Sequence, residues 1–157
     1  MQFAESPVTH PRGADPRGAN WTAKLRAVGL RTTTQRLAVL AFLDHNPHSD
    51  ADTIFRGVRD VLPTVSVQAI HGIVNDLSAA QIIRRVNLAD SSSAQYETRT
   101  KDNHHHVQCI RCGRIEDVDC TVGHAPCLTP SNTHGMRIIE TDLTFRGLCT
   151  DCEREEK

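Results

Sequence analysis

The segment HHHVQCIRCGRIEDVDC, residues 104–120, combines three histidines, a Cys-x-x-Cys pair and a following acidic cluster. A second Cys-x-x-Cys pair lies near the C-terminus. Two such pairs supply four thiolates, the ligand set of a tetrahedral structural zinc. We therefore predict a zinc site formed by Cys109, Cys112, Cys149 and Cys152. The alternative is free thiol pairs or reversible disulfides, but the shared spacing and the glycine after the first pair favour metal.

Histidines and carboxylates around the first pair form a second set of metal ligands. On a β-strand, His104 and His106 point to one side and His105 to the other. Glu97 precedes them and Asp117 follows. Nitrogen and oxygen ligands suit Fe(II), Mn(II), Co(II) or Zn(II) and hold a more exchangeable ion than four thiolates do. We predict a second metal site here, the alternative being a solvated histidine run without a ligand.

Composition limits the class of protein. A chain of 157 residues with 38% hydrophobic content can hold one or two small domains with a modest core. It shows neither a run of about 18 apolar residues nor an N-terminal signal for secretion, so we expect a cytoplasmic protein. In that setting six cysteines indicate metal or redox chemistry. Residues 1–88 carry ten Lys/Arg and seven Asp/Glu, and residues 89–157 carry eight and twelve, which suggests a polyanion-facing module before a metal module.

The first part of the chain predicts a tail and three helices. Residues 1–19, rich in proline and glycine, predict a flexible tail. Asn20 is a candidate N-cap for a first helix that Gly29 ends, and the threonines at 32–34 can cap a second. Ser49, with an acidic residue three positions later, resembles a capping box for a third helix continuing up to Pro63.

A fourth predicted helix has an apolar back and a polar front. The apolar face carries Val67, Ile70, Val74 and Leu77, and the polar face carries Gln68, His71, Gly72 and Asn75, with Ser66 as the cap. Glutamine and asparagine can bond to base edges in the major groove, although an ordinary solvated face is the alternative. A predicted hairpin follows, with strands at 82–88 and 95–98. Helices followed by a hairpin predict a winged helix, in which Arg84 and Arg85 could reach phosphate.

The second half predicts short strands rather than helices. We expect strands at 106–108, 114–118, 137–139 and 142–148, of which the last delivers Cys149, and a frayed end at 153–157. Short strands with little to bury are typical of a sheet completed across a dimer.

The order of these signals closely resembles the ferric uptake regulator family over about residues 20–152. The resemblance rests on Glu97, on the pattern HHHxxCxxCGxIxD that ends at Asp117, on the second cysteine pair, and on Arg31-Thr-Thr-Thr-Gln35-Arg36, which looks like the family's opening motif. It implies a metal-dependent transcription repressor, not an enzyme, whose partners are double-stranded operator DNA and a second copy of the chain, with no membrane. The implied fold class is α+β.

The resemblance also implies a domain organisation and a set of site residues. A winged-helix DNA-binding domain (20–98) would follow the tail (1–19) and precede a metal-binding α/β dimerisation domain (103–157) with the structural zinc. The implied regulatory ligands, for Fe(II), Mn(II) or Zn(II), are His48, Glu97, His104, His106 and Asp117. A ligand set drawn from both modules would let the ion fix their relative angle. The candidate DNA contacts are Arg31, Gln35, Arg36, Ser66, Gln68, His71, Asn75, Arg84 and Arg85; the family commonly has Tyr at the position of His71.

The segment Gly-His124-Ala-Pro-Cys127 looks like the family branch that represses catalase-peroxidase genes, so we favour a peroxide- or redox-responsive repressor. In peroxide-sensing relatives, bound Fe(II) reacts with peroxide and a ligand histidine is oxidised, which here points to His48 and His104. Cys120 and Cys127, near His124 and His134, are either redox or extra metal residues or small buried apolar ones.

Three other functions are weighed against peroxide sensing. The first is control of iron or zinc uptake by the same family, and the second is a thiol-disulfide switch without a regulatory metal. The third, a zinc hydrolase or deaminase, needs an open zinc position with a glutamate base. It is disfavoured because the chain has no His-Glu-x-x-His motif and no His-x-Glu followed by Pro-Cys-x-x-Cys.

Overall fold

The computed structural model describes residues 20–88, 91–100, 102–121, 128–139 and 141–155. The expectations for the tail at 1–19, for His124 and for Cys127 lie outside these residues. Five helices and six strands follow one another in the described chain: α1 Trp21–Ala27, α2 Thr34–His45, β1 Ser49–Asp50, α3 Ala51–Val58, α4 Val67–Ala79, β2 Arg84–Val86, β3 Gln95–Glu97, β4 His104–Cys109, β5 Ile115–Asp119, β6 Thr144–Gly147 and α5 Thr150–Arg154. This succession confirms the predicted α+β class.

Side-chain caps begin α1, α2 and α4 as predicted. The side-chain oxygen of Asn20 accepts a hydrogen bond of 3.1 Å from the N–H of Ala23, and that of Thr33 begins α2 in the same way. The hydroxyl of Ser66 accepts a hydrogen bond of 3.1 Å from the N–H of Ala69 at the start of α4. Gly29, with a φ of 76°, ends the first helical segment in the left-handed conformation that glycine tolerates.

The third helix differs from the prediction at both ends. Its cap is Asp50, whose carboxylate accepts 2.8 Å from the N–H of Thr53. Ser49 is not a cap because it pairs with Tyr96 in the first sheet and its hydroxyl donates to the carbonyl of Asn46. Residues after Val58 form turns rather than the helix expected up to Pro63, because the N–H of Val61 bonds three residues back, to the carbonyl of Val58.

The four helices of the first half pack around one apolar core. Its fully buried members include Leu25 from α1, Leu40 and Leu43 from α2, Ile54 from α3, and Ile70 and Leu77 from α4. Tyr96 on β3 is 4% exposed and belongs to the same core. Burial of this apolar back fixes α4 with the opposite face towards solvent.

The first sheet has the strand order β1-β3-β2, with both pairings antiparallel. β1 begins immediately after His48, and β3 ends at Glu97. Because Ser49 is paired with Tyr96, the register places His48 beside Glu97. The helical half of the chain thus contributes two neighbouring side chains to the end of this sheet.

The second sheet has the order β5-β4-β6, antiparallel between β4 and β5 and parallel between β4 and β6. Its register pairs His106 with Asp117, and Cys109 with Gly147. The expected strand at 137–139 is absent from the structure, and the helix α5 near the C-terminus was not predicted. No helix within the described ranges has the length and apolar character needed to cross a membrane.

Candidate metal centres

The first candidate centre is the thiolate site, formed by Cys109, Cys112, Cys149 and Cys152. The four sulfurs lie within 4.8 Å of one another, and Sγ of Cys112 is 3.8 Å from Sγ of Cys149. Zinc–thiolate bonds of about 2.3 Å in a tetrahedron place the sulfurs about 3.8 Å apart, whereas a disulfide needs about 2.05 Å. The spacing therefore fits four ligands around one ion and not two disulfides.

Backbone geometry brings these sulfurs together. β4 ends at Cys109, and Gly113, with a φ of 75°, turns the chain back into β5. From the other side, β6 runs parallel to β4, and Cys149 follows it as the first residue before α5. The N–H of Cys149 donates a hydrogen bond of 3.3 Å to Sγ of Cys109, which ties the two pairs to each other.

The cysteines of the thiolate site differ in acidity. Backbone N–H groups of Cys112 and Cys149 lower the pKa of Cys109 to about 6. A hydrogen bond to Cys149 and the other nearby sulfurs raise the pKa of Cys152 to about 12. One thiol therefore ionises readily while its neighbour resists, because crowded thiolates repel one another unless a positive charge offsets them. A divalent cation would supply that charge.

The second candidate centre is the mixed-ligand site, formed by His48, Glu97, His104, His106 and Asp117. Nε2 of His48 lies 2.9 Å from Oε2 of Glu97 and 2.8 Å from Oδ1 of Asp117. Nε2 of His106 is 3.2 Å from the same Glu97 oxygen and 3.7 Å from the same Asp117 oxygen. Ligand atoms of these four residues lie within 4.8 Å of one another. The structure thus brings together residues from both halves of the chain.

His104 stands at the edge of the mixed-ligand site. Its Nε2 is 3.0 Å from Oε1 of Glu97, the oxygen on the far side from His48, and 3.8 Å from Asp117. Alternation along β4 directs His104 and His106 to Glu97, as the sequence predicted. His105 instead lies near Phe145, with ring centroids 6.5 Å apart. The site therefore has four convergent ligands and a fifth one beside them.

Burial and mutual attraction set the charges in the mixed-ligand site. Burial raises the pKa of Glu97, but the imidazoles of His104, His106 and His48 outweigh it and hold that pKa well below its usual range. Burial lowers the pKa of His48, but the carboxylates of Asp117 and Glu97 raise it to about 9. The carboxylates therefore favour the ionised form, and a metal ion bound here would compete with a proton for Nε2 of His48.

The orientation of two atoms tests whether a metal fits. Nε2 of His48 and Oδ1 of Asp117 are both buried, yet neither has a hydrogen bond of acceptable geometry within the described structure, although they are 2.8 Å apart. Buried polar atoms are usually hydrogen-bonded, so such exceptions need an explanation. A cation bound by both atoms would satisfy them. The site fits a cation with nitrogen and oxygen ligands.

The candidate DNA contacts fall into two groups. Exposed side chains are those of Arg31, Gln35, Ser66, Gln68, His71, Asn75 and Arg85. Arg36 instead donates a hydrogen bond of 2.8 Å to the carbonyl of Arg31 and one of 2.7 Å to the carboxylate of Asp76. The second bond connects α2 to α4. Arg84 lies 2.5 Å from Asp142 and 4.0 Å from Glu97. Both arginines thus contact other protein groups, and their role at DNA stays a prediction.

Two residues beside the mixed-ligand site were missed by sequence reasoning. Arg99 contacts Asp117, and Asp102 contacts Nδ1 of His104. An acidic residue two positions before a candidate histidine ligand was a usable signal for Asp102, whereas nothing local indicated Arg99. Cys120 is half-buried and His134 is exposed, and neither belongs to the two candidate centres.

Comparison with known proteins places the chain among transcription regulators. The model of the ferric uptake regulator family matches residues 27–146. Transcriptional regulator FurA of Mycobacterium tuberculosis is 45% identical over 133 residues, which cover 85% of this chain and 90% of that protein. The peroxide-responsive repressor PerR of Staphylococcus saprophyticus is 32% identical over 82% of this chain and 86% of its own length. The Helicobacter pylori ferric uptake regulator structure shares the fold, with a TM-score of 0.64 and 20% identity over 84% of this chain and 88% of that one.

Proposed function

Because the chain belongs to the ferric uptake regulator family, whose members regulate transcription and are not enzymes, we propose that it is a metal-dependent, DNA-binding repressor that responds to peroxide. It acts as a homodimer on double-stranded operator DNA in the cytoplasm, through a DNA-binding module at 20–98 and a dimerisation module at 103–157. One observation carries the proposal: the mixed-ligand site draws His48 and Glu97 from the first module and its other ligands from the second.

This arrangement links metal binding to DNA binding. His48 and Glu97 lie at the end of the first sheet, and the remaining ligands lie on β4 and β5 of the second. An ion held by both groups fixes the angle between the modules, and a ligand that favours one arrangement shifts the population towards it. In a dimer, that angle sets the spacing of the two α4 helices, which must match successive major grooves.

The two centres have different roles in the proposal. Four thiolates form a closed zinc site that stabilises the second sheet and α5, because zinc joins the chain at Cys109 and Cys112 to the chain at Cys149 and Cys152. The mixed-ligand site suits Fe(II) or Mn(II), with Zn(II) as a competitor, since nitrogen and oxygen ligands bind all three. The exchangeable site is therefore the regulatory one.

Peroxide as the signal is supported by the similarity to PerR and by the ligands themselves. Bound Fe(II) would supply the reducing equivalents for peroxide. His48 and His104 would hold that ion through imidazole rings, the oxidisable side chains of the site. An oxidised ring is a poorer ligand, and its loss would release the angle between the modules. The second candidate is iron-dependent control of uptake, favoured by the family's own description, in which occupancy itself is the signal.

DNA binding measured with each metal before and after peroxide tests the proposal. Zinc-loaded protein would be given Fe(II), Mn(II) or Zn(II) and assayed on duplexes selected from a random-sequence pool. We expect metal to be required for binding, and peroxide to abolish it with Fe(II) but not with Mn(II). Mass spectrometry should then find one added oxygen atom on the peptide of His48 or of His104.

His48→Ala is the matched variant, because it removes the ligand from the first module and leaves the thiolate site intact. It should lose metal-dependent DNA binding while retaining its zinc. Binding that is independent of added metal would overturn the repressor mechanism. Metal-dependent binding that survives peroxide, with unmodified histidines, would overturn peroxide sensing and favour control by metal occupancy.

A further inference from the structure

We propose that Arg99 is a positioning residue of the mixed-ligand site, which orients Asp117 directly and His104 through Asp102. The inference rests on the proposed function, since it assigns a role towards the regulatory metal. Arg99 lies in the connection between β3 and β4, and its side chain is 22% exposed. It is not itself a ligand, because a guanidinium remains protonated in proteins.

The guanidinium of Arg99 contacts three carboxylates. Nη1 donates 3.1 Å to Oδ2 of Asp117, Nη2 donates 2.9 Å to Oδ1 of Asp119, and Nε donates 2.5 Å to Oδ2 of Asp102. Asp117 and Asp119 lie on β5, while Asp102 precedes β4. Since the donors lie in one rigid plane, these contacts fix the orientation of each carboxylate as well as its charge.

The contact with Asp117 selects which oxygen faces the metal site. Oδ2 is engaged by Arg99, while Oδ1 lies 2.8 Å from Nε2 of His48 and 3.7 Å from Nε2 of His106. A carboxylate held in this way offers one oxygen to an ion instead of two. Arg99 therefore limits Asp117 to coordination through Oδ1.

The contact with Asp102 extends the same control to His104. Oδ2 of Asp102 bonds to Arg99, and Oδ1 lies 3.1 Å from Nδ1 of His104. Because Oδ1 of Asp102 accepts a hydrogen bond from Nδ1, the proton of a neutral His104 ring lies on Nδ1. Nε2 is then available as a metal ligand. Nε2 is the atom that lies 3.0 Å from Oε1 of Glu97. Arg99 thus holds the carboxylate that sets the tautomer and the ring orientation of His104.

Mn(II) titration of the zinc-loaded, full-length protein tests this role, with free Mn(II) followed by electron paramagnetic resonance. Arg99→Gln should weaken binding by about tenfold or more, as loss of outer-shell partners does at other metal sites. Arg99→Lys should weaken it similarly, because an ammonium is a point charge that cannot hold several carboxylates in one plane. Asp119→Asn is the matched control. This substitution removes one partner of Arg99 that lies outside the mixed-ligand site, so the affinity of the variant for Mn(II) should be unchanged.

A spectroscopic readout separates positioning from general stability. With Co(II) as the probe, Arg99→Gln should alter the visible absorption, because Oδ2 of Asp117 becomes free to coordinate, whereas Asp119→Asn should not. Zinc content and circular dichroism establish which variants are folded. If Arg99→Gln does not fold, Arg99→Lys, which preserves the charge balance, is used for the test. If the folded Arg99 variants had the Mn(II) affinity and the Co(II) spectrum of the wild type, the role of Arg99 would be overturned, but the proposed function would not. Failure of the unaltered protein to bind any of Mn(II), Fe(II) and Co(II) at the mixed-ligand site would overturn the proposed function as well.

Discussion

Nε2 of His48, in the helical half of the chain, lies 2.8 Å from Oδ1 of Asp117, in the second sheet. His48 adopts a φ of 58°, an uncommon conformation for a residue other than glycine. It is followed at once by β1, whose pairing with β3 holds it in place. This separation of 2.8 Å is the shortest distance between ligand atoms of the two parts of the mixed-ligand site, and the electrostatic attraction across it requires a protonated His48.

The pH dependence of stability should reveal that charge in protein with zinc but no regulatory metal. The pKa of His48 is raised from 6.5 to about 9 in the fold, so its contribution is fully present below 6.5 and is lost as the pH rises through about 9. Glu97 and Asp117 have lowered pKa values and stay ionised across this range. We expect the free energy of unfolding to fall by on the order of 1–3 kcal/mol.

Urea unfolding at the two ends of that range measures the effect. His48→Asn should flatten the pH dependence, and saturating Mn(II) should also flatten it, because the ion displaces the proton. A wild-type protein that becomes more stable between these pH values would contradict the assignment of the raised pKa to His48.

Zinc content should separate the cysteines of the thiolate site from the other described cysteine. Cys112→Ser removes one of four convergent sulfurs and should lower bound zinc and the stability of the second sheet. Cys120→Ser is the control, since Cys120 is half-buried and outside the site, and it should retain one zinc. Metal analysis of the purified variants under reducing conditions decides the outcome. Equal zinc in both variants would argue against the thiolate site.

The two neighbouring arginines of β2 should behave differently towards DNA. Arg85 is exposed, so Arg85→Ala should weaken DNA binding and reduce the slope of log affinity against log salt by about 1. Arg84 is engaged by Asp142, so Arg84→Ala should leave that slope unchanged. Titrations of operator DNA at several salt concentrations provide the comparison. If the slope fell in Arg84→Ala but not in Arg85→Ala, Arg84 rather than Arg85 would be the phosphate contact.

Two helical glycines should respond in opposite directions to alanine. A Cβ at Gly72 meets nothing within 4 Å, so Gly72→Ala should raise the free energy of unfolding by about 1 kcal/mol. A Cβ at Gly57 would lie 1.9 Å from the ring of Phe42, so Gly57→Ala should lower it by about 1–3 kcal/mol. Chemical denaturation measures both. If Gly72 permits close approach of α4 to DNA, its alanine variant will be more stable but will bind DNA more weakly.

Local patterns in the sequence determined much of the helical half and the second sheet. The caps at Asn20, Thr33 and Ser66 and the buried back of α4 follow from short-range rules, because each depends on residues within one or two turns. Alternation along β4 likewise placed His104 and His106 on one side. The pairing of two Cys-x-x-Cys motifs required only their chemistry and spacing.

Only the tertiary structure decided the contacts between distant segments. His48 entered the predicted ligand set through a family resemblance alone, and it lies beside Glu97 because β1 pairs with β3. The same pairing occupies Ser49, so that the cap of α3 shifts to Asp50. Asp142 forms an ion pair with Arg84 across 58 residues of sequence, and β5 supplies two of the carboxylates that hold Arg99. Such contacts depend on how sheets are ordered and registered, which no local spacing of residues encodes.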